Sequence, residues 1–352
     1  MRVTFPRDLE SAGRTSRPPR FLLGGLLLAL LAGSSAPALA VDKFAAEFLK
    51  IGVGARPMGM GGSFVSLADD ATATYWNPAG LIQLEYKEAM GMHASQFGGV
   101  VVHDVLGIVA PLKSPDHRSA IGLTLIRLGV DDIRVTKDAG VDADGDGIVD
   151  EDANGNPIID PSKIETRSAY DLALFLSYAR SLGDRWSTGL NVKLVRQSLV
   201  SEGASFGIGA DIGFLYRPSA KVGFGLQLAD ITTTQLFWDT GRRETVAPTV
   251  TLGGHTTQSL SALQGTLTVG LDIQFAFEGQ QADQFSTGNL SGNFLPGAEY
   301  WFRRTVALRV GSDGGNFTAG GGVRYKQVGA DYAYLSHDEL DSTHRVSALV
   351  RF

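Results

Sequence analysis

The densest chemistry in this 352-residue sequence lies at Asp142-Ala143-Asp144-Gly145-Asp146-Gly147-Ile148-Val149-Asp150-Glu151-Asp152. Carboxylates stand at positions 1, 3, 5 and 9 and glycine at position 6, so one tight turn could wrap oxygen ligands round a hard cation, with the Ile148 carbonyl as position 7. The spacing predicts a structural Ca²⁺ in the 142–160 loop, held by Asp142, Asp144, Asp146, Ile148, Asp150 and Asp152, with Glu151, Asn154, Asn156 and Asp160 available to complete the shell. Position 12 is Ala153 rather than a bidentate glutamate and no flanking helices are expected, so the loop departs from an EF-hand. The same residue types also make ordinary solvated turns. Either way the loop would stiffen a surface and catalyse nothing.

A second cluster precedes it. Phe44, Phe48, Leu49, Met58, Met60, Tyr75 and Trp76 fall within one glycine-broken segment and could line a pocket for a hydrophobic molecule. Equally, they could pack that segment against whatever surrounds it. Asn77 and Pro78, grouped with them, have the types that fix a turn. Catalytic signals are sparse: there is no His-Glu-x-x-His, the six histidines are scattered, and Asp69-Asp70 and Asp131-Asp132 suit a cap and a solvated loop. No Gly-Lys-Ser/Thr follows the glycines, and a chain of net charge -6 lacks the basic face that nucleic acid requires. With no cysteine, disulfides, thiol nucleophiles and cysteine-ligated metals are excluded. The expectation is a protein that is not an enzyme and binds no nucleic acid.

The elements that must position these clusters announce themselves by alternation. Tyr170, Leu172, Leu174, Leu176 and Tyr178 share one face, while Asp171, Ala173, Phe175, Ser177 and Ala179 share the other. Leu190, Val192 and Leu194 likewise oppose Gly189, Asn191 and Lys193. Period two sustained beyond ten residues is long for a soluble sandwich but suits a membrane-crossing strand of ~9–11 residues, with aromatics near both ends of its apolar face. About fourteen such segments can be counted between 88 and 352. The longest connections, 129–166, 231–245 and 278–292, follow odd-numbered strands, and tight turns follow even ones. The fold class expected is therefore all-β: a transmembrane antiparallel β-barrel over 87–352, both termini periplasmic, with 41–86 as an N-terminal plug, or hatch, too small to fold alone. Glycine supplies 44 residues, many on the polar face, where a wall must curve closely round its filling.

Residues 1–40 read as an export signal: Arg2, Arg7, Arg14, Arg17 and Arg20, an apolar run from Phe21 to Ala32, then Ala38-Leu39-Ala40. The run is too short to span a bilayer. Export and barrel together place the protein in a bacterial outer membrane, its lipid a partner.

The segment from Lys43 to Gly62, followed by Asp69-Asp70-Ala71-Thr72-Ala73-Thr74-Tyr75-Trp76-Asn77-Pro78-Ala79-Gly80-Leu81, resembles the N-terminal signature of the PorV/PorQ family, within the FadL-like outer-membrane barrels. The resemblance covers about forty residues and implies fourteen strands and a hatch containing Asn-Pro-Ala. It also implies an accessory of type IX-like protein secretion that holds or shuttles secreted cargo beside a translocon. FadL-like members offer the alternative, transport of long-chain fatty acids or other hydrophobic small molecules past the hatch. The Asp-rich run looks like the calcium loops of thrombospondin type 3 and dockerin repeats, and the closing Phe352 resembles the terminal aromatic of outer-membrane barrels.

Overall fold

The computed structural model describes residues 46–112, 117–145, 147–200, 203–277, 284–337 and 342–352. Residues 1–40, read above as an export signal, and Phe44 and Asp146 lie outside the described residues. Strands run β1 (Glu88–Gln96), β2 (Val101–Leu112), β3 (Ser119–Val135), β4 (Glu165–Ser181), β5 (Trp186–Leu199) and β6 (Gly203–Ser219). They continue as β7 (Val222–Ala229), β8 (Thr234–Trp238), β9 (Arg243–Val246), β10 (Thr249–Leu260), β11 (Gly265–Ala276) and β12 (Phe285–Thr287). β13 (Leu290–Phe302), β14 (Val306–Asp313), β15 (Asn316–Tyr325), β16 (Val328–Leu335) and β17 (Thr343–Arg351) follow.

All pairings are antiparallel, with β7 meeting β10 and β11 meeting β13 across the short strands. β17 returns to β1 from Glu88↔Arg351 to Ser95↔His344. The wall is thus a closed barrel of 14 strands, with the β8–β9 hairpin continuing it beside β6 and β12 resting on β13. Among the described residues, closure leaves the 14 wall strands without a free edge, while β9 pairs only with β8.

Inside and outside are reversed relative to a water-soluble protein. Along β14, Leu308 is 64% exposed and Val310 48%, while Arg309 between them is 4% exposed. On β5, Leu190 is exposed while Asn191 and Lys193 are buried. Leu106, Ile121, Leu176, Phe206, Leu252 and Val346 carry the exposed apolar belt round the circumference. A wall that hides arginine and displays leucine is satisfied only by apolar surroundings. Near one end Trp186 stacks on Tyr216 at 4.4 Å, and near the other Phe285 lies 5.6 Å from Phe294, as girdles at two interfaces would. Among the described residues no helix is long and apolar enough to cross a membrane.

Three expectations need correction. The loop expected from 129 starts only after Val135, because Asp131 and Asp132 occupy a register shift between Val130 and Ile133, beyond which alternation resumes. Asp132 takes a positive φ of 59° there. The connection expected at 231–245 holds β8 and most of β9, and that at 278–292 holds β12 and the start of β13.

The two ends differ in charge as well as length. At the turn end Lys87, Arg118, Arg185, Lys221, Arg303, Arg304 and Lys326 face only Glu85 and Asp184 among described turn residues. At the loop end Asp138, Asp142, Asp144, Asp150, Glu151, Asp152, Asp160 and Asp239 outnumber Lys137, Lys163 and Arg242.

Candidate functional site

Residues 46–86 contain no strand and fill the lumen, with two short helices, Ala55–Gly59 and Ala73–Trp76, and a 3₁₀ turn, Pro78–Gln83. Such a segment cannot satisfy its own backbone, so its N–H and C=O groups must find partners on the wall. The wall supplies them from polar side chains on its inner face. Asp272 of β11 accepts from the Phe64 and Val65 N–H groups, each at 2.7 Å. Asn191 of β5 donates to the Thr74 carbonyl at 2.8 Å and Gln227 of β7 to the Tyr75 carbonyl at 2.7 Å. Glu88 of β1 accepts from the Ala71 N–H at 2.6 Å and Ser347 of β17 from the Ala55 N–H at 2.9 Å. Where plug backbone meets wall backbone, only glycine fits: a Cβ on Gly297 would stand 2.2 Å from the Met60 carbonyl oxygen, and its cross-strand partner Gly311 is equally crowded.

One buried chain of charges binds plug to wall. Arg56 forks onto Glu299 of β13 with two contacts of 2.9 Å and reaches Asp69 at 2.6 Å and Asp70 at 2.9 Å. Arg309 of β14 donates to Glu299 at 2.7 Å and meets Asp331 of β16 at 2.8 Å, where Arg324 of β15 also arrives at 2.8 Å. Burial alone would lower the Arg56 pKa, but Asp69, Glu299 and Asp70 prevail and hold the guanidinium more firmly charged than usual.

Beside the helix Ala73–Trp76 lies a cavity of about 100 Å³. Leu49, Met58, Tyr75, Trp76, Phe175 and Leu295 contribute its apolar lining, and Lys193, Asp211 and Asp230 its charged side. Tyr75 and Trp76 meet edge to face at 5.1 Å, and each is anchored by a carbonyl: the Tyr75 hydroxyl donates to Leu49 at 2.7 Å and the indole N–H of Trp76 to Val53 at 2.8 Å. Burial raises the Tyr75 phenol far above its ordinary pKa, so it stays a neutral donor. Lys193 contacts Asp211 at 2.7 Å, bonds Asp230, and stands over the Phe175 ring at 5.8 Å.

Of the residues grouped from sequence, Leu49, Met58, Tyr75 and Trp76 meet at this cavity. Phe48 and Met60 are buried in the packing of the plug and are not part of its lining. Asn77 and Pro78 stand apart from the lining as well: Asn77 donates to the Val65 carbonyl at 2.8 Å and the Phe214 carbonyl at 3.1 Å and caps the turn that Pro78 begins by accepting from the Ala79 N–H. Lys193, Asp211 and Asp230 went unnoticed. For Lys193 and Asp211 the available signal was a charge placed mid-strand on the face whose other members are small, Gly189 and Asn191 beside Lys193, Gly209 and Gly213 beside Asp211; Asp230, in the bend after β7, had none.

The Asp-rich loop turns its carboxylates onto its own backbone. Asp142 accepts from the Gly145 N–H at 2.7 Å and the Gly147 N–H at 3.0 Å, and Asp150 from the Ala143 N–H at 2.9 Å. Asp152 accepts from the Asn154 and Asn156 N–H groups at 2.8 and 2.9 Å, which with Asn156 held first lower its pKa. Ile148 is exposed, and among the described residues no three carboxylate or histidine side chains converge as a metal site. Gly203-Ala204-Ser205-Phe206-Gly207 has the spacing of a hydrolase elbow, yet it runs along β6 rather than a strand-to-helix turn, and the Ser205 hydroxyl meets Gln197.

No protein-family model matches the chain, and no curated protein matches it. Solved structures do. The Pseudomonas putida toluene transporter TodX is similar over 85% of this chain and 97% of its own, with a TM-score of 0.53 at 15% identity. A Pseudomonas aeruginosa FadL homologue matches over 85% and 98% with a TM-score of 0.51 at 11% identity. The Ralstonia pickettii toluene transporter TbuX matches over 86% and 98% with a TM-score of 0.50 at 12% identity. The barrel with a filled lumen is a fold shared with these proteins.

Proposed function

We propose that this chain is an outer-membrane channel that passes small, uncharged hydrophobic molecules past its plug. The observation that carries the reading is the aromatic cavity at the junction of plug and wall, inside a barrel whose outer belt is apolar. A dry cavity of ~150 Å³ accommodates one benzene ring, so a cavity of about 100 Å³ lined by aromatic side chains is nearer the size of a small ring than of a long chain. Among the described lining residues the two lysines are already matched, Lys193 by Asp211 and Asp230 and Lys50 by Glu47 at 2.8 Å, which disfavours capture of a ligand carboxylate. The short-turn end faces the periplasm in this reading, and the long-loop end the exterior. The names of TodX and TbuX as toluene transporters agree with it.

The test is uptake by liposomes containing the purified barrel, comparing toluene with a long-chain fatty acid, together with binding followed by tryptophan fluorescence. Toluene should enter and quench, and Trp76→Phe should lose most of the quenching. Equal or better uptake of the fatty acid would reverse the size argument. Recovery of secreted proteins or a translocon barrel with the detergent-extracted protein, without solute transport, would restore the secretion reading that the N-terminal resemblance implies.

A further inference from the structure

At the turn end a groove of about 900 Å³ runs between the β2–β3, β4–β5 and β6–β7 turns and Ile82 of the plug. Arg118, Arg180, Arg185 and Arg217 line it, and Asp184 is the one acid among its lining residues. The guanidinium groups of Arg118, Arg180 and Arg185 have no hydrogen-bond or ion-pair partner among the described residues, and Arg217 donates to the neutral side chain of Gln83. The two sides of the groove are braced by backbone. Ser181 exchanges bonds with Arg118 at 2.8 and 3.0 Å, and the Arg217 N–H donates to the Arg185 carbonyl at 2.8 Å. The remaining charges of the β2–β3 turn, Lys113 and Asp116, cancel in sequence.

Four cations held in one concavity repel unless an anion joins them, and Arg presents a fork that matches phosphate oxygens. The groove opens beside Trp186, stacked on Tyr216 at 4.4 Å, at the level where an aromatic girdle marks lipid headgroups. Exposed Leu182, Tyr178 and Leu176 lead from its lip down the outer wall. An amphiphile with a phosphate at one end and acyl chains at the other satisfies both surfaces at once. We propose that this groove is a specific site for the phosphate of an anionic phospholipid in the leaflet at the turn end of the barrel. The inference rests on the membrane placement proposed above, and goes beyond the transport reading.

The experiment inserts the barrel into vesicles of phosphatidylcholine alone or with phosphatidylglycerol, extracts it in mild detergent and weighs the retained lipid by native mass spectrometry. About one phosphatidylglycerol per barrel should be retained in preference to phosphatidylcholine. The variant Arg118→Gln/Arg180→Gln/Arg185→Gln should lower that enrichment about tenfold while keeping the parent's heat-dependent gel mobility. Arg303→Gln/Arg304→Gln, on another turn of the same rim, should leave it unchanged. Equal retention of the two lipids, undiminished retention in the triple variant, or an equal loss in the Arg303/Arg304 variant would each overturn the site. Displacement by glycerol phosphate as readily as by short-chain phosphatidylglycerol would assign the groove to a free phosphate and overturn the lipid. A barrel that enters neither vesicle would overturn the membrane placement and this inference with it, whereas insertion without lipid preference overturns the inference alone.

Discussion

Carboxylates crowd two regions of this molecule in opposite ways. In the lumen, Glu299 and Asp331 are buried and each lies between guanidinium groups from other strands or from the plug. In the loop between β3 and β4, Asp142, Asp144 and Asp152 stand in solvent, and Asp142 and Asp152 take hydrogen bonds from backbone a few residues away. The difference is one of dielectric. A buried charge must recruit an opposite charge however far along the chain, whereas an exposed one is content with its own turn and water. The lumen carboxylates therefore couple distant parts of the fold, whereas Asp142, Asp150 and Asp152 take hydrogen bonds from backbone within seven residues of themselves.

The largest test of that contrast is Arg56→Met, which leaves Glu299 and Asp70 short of a partner and should cost about 3–5 kcal/mol in denaturant unfolding. Adding Glu299→Gln should recover part of the loss, which a mere packing defect would not. Next comes Asp272→Asn. It keeps the shape but removes the charge that receives two plug N–H groups, for about 1–3 kcal/mol, with faster amide exchange at Phe64 and Val65 as its signature. By contrast Asp142→Asn should move barrel stability by no more than about 0.5 kcal/mol. A larger effect would erase the distinction between the regions.

The calcium reading of the loop stays a proposal with its own test. Millimolar calcium should protect 142–160 from protease, and Asp142→Asn/Asp144→Asn should abolish that protection without touching the barrel. The smallest expected effect is on pH. The Asn156 and Asn154 N–H groups lower the Asp152 pKa, and the Ser162 hydroxyl and N–H lower that of Asp160, so the turns they hold are stabilised above the ordinary carboxylate pKa of about 3.9 and lost as the pH falls through the lowered values. Protection of the Asn154, Asn156 and Ser162 amides, measured against the intrinsic exchange rate at each pH, should fall in acid while the wall stays protected.

The wall is legible in the sequence because alternation is local. The alternation read through Gly189 to Leu194 is the middle of β5, which runs uninterrupted from Trp186 to Leu199. The outer halves of β3 and β4 were cut short because Asp131-Asp132 breaks the period at a bulge that only the partner strand can reveal. β8, β9 and β12 are too short for a period to declare itself. The plug could be placed, but not its attachments. Arg56 and Glu299 are separated by 243 residues, and no local pattern joins them. The cavity was half legible for the same reason: its aromatic side lies in one segment of chain, while Lys193, Asp211 and Asp230 come from β5, β6 and the bend after β7.

Glu88 ties the plug to both ends of the sheet. It begins the first strand, accepts from the plug at Ala71, and pairs with Arg351 of the last strand at 2.9 Å. That single carboxylate marks the place where the sheet meets itself. A plug gripped from strands all round the circumference cannot be threaded into a finished tube without first shedding those bonds in a narrow, desolvated lumen. A sheet that curls round a plug already in place keeps those bonds, and in that order residues 46–86 would serve as the mandrel on which β17 closes.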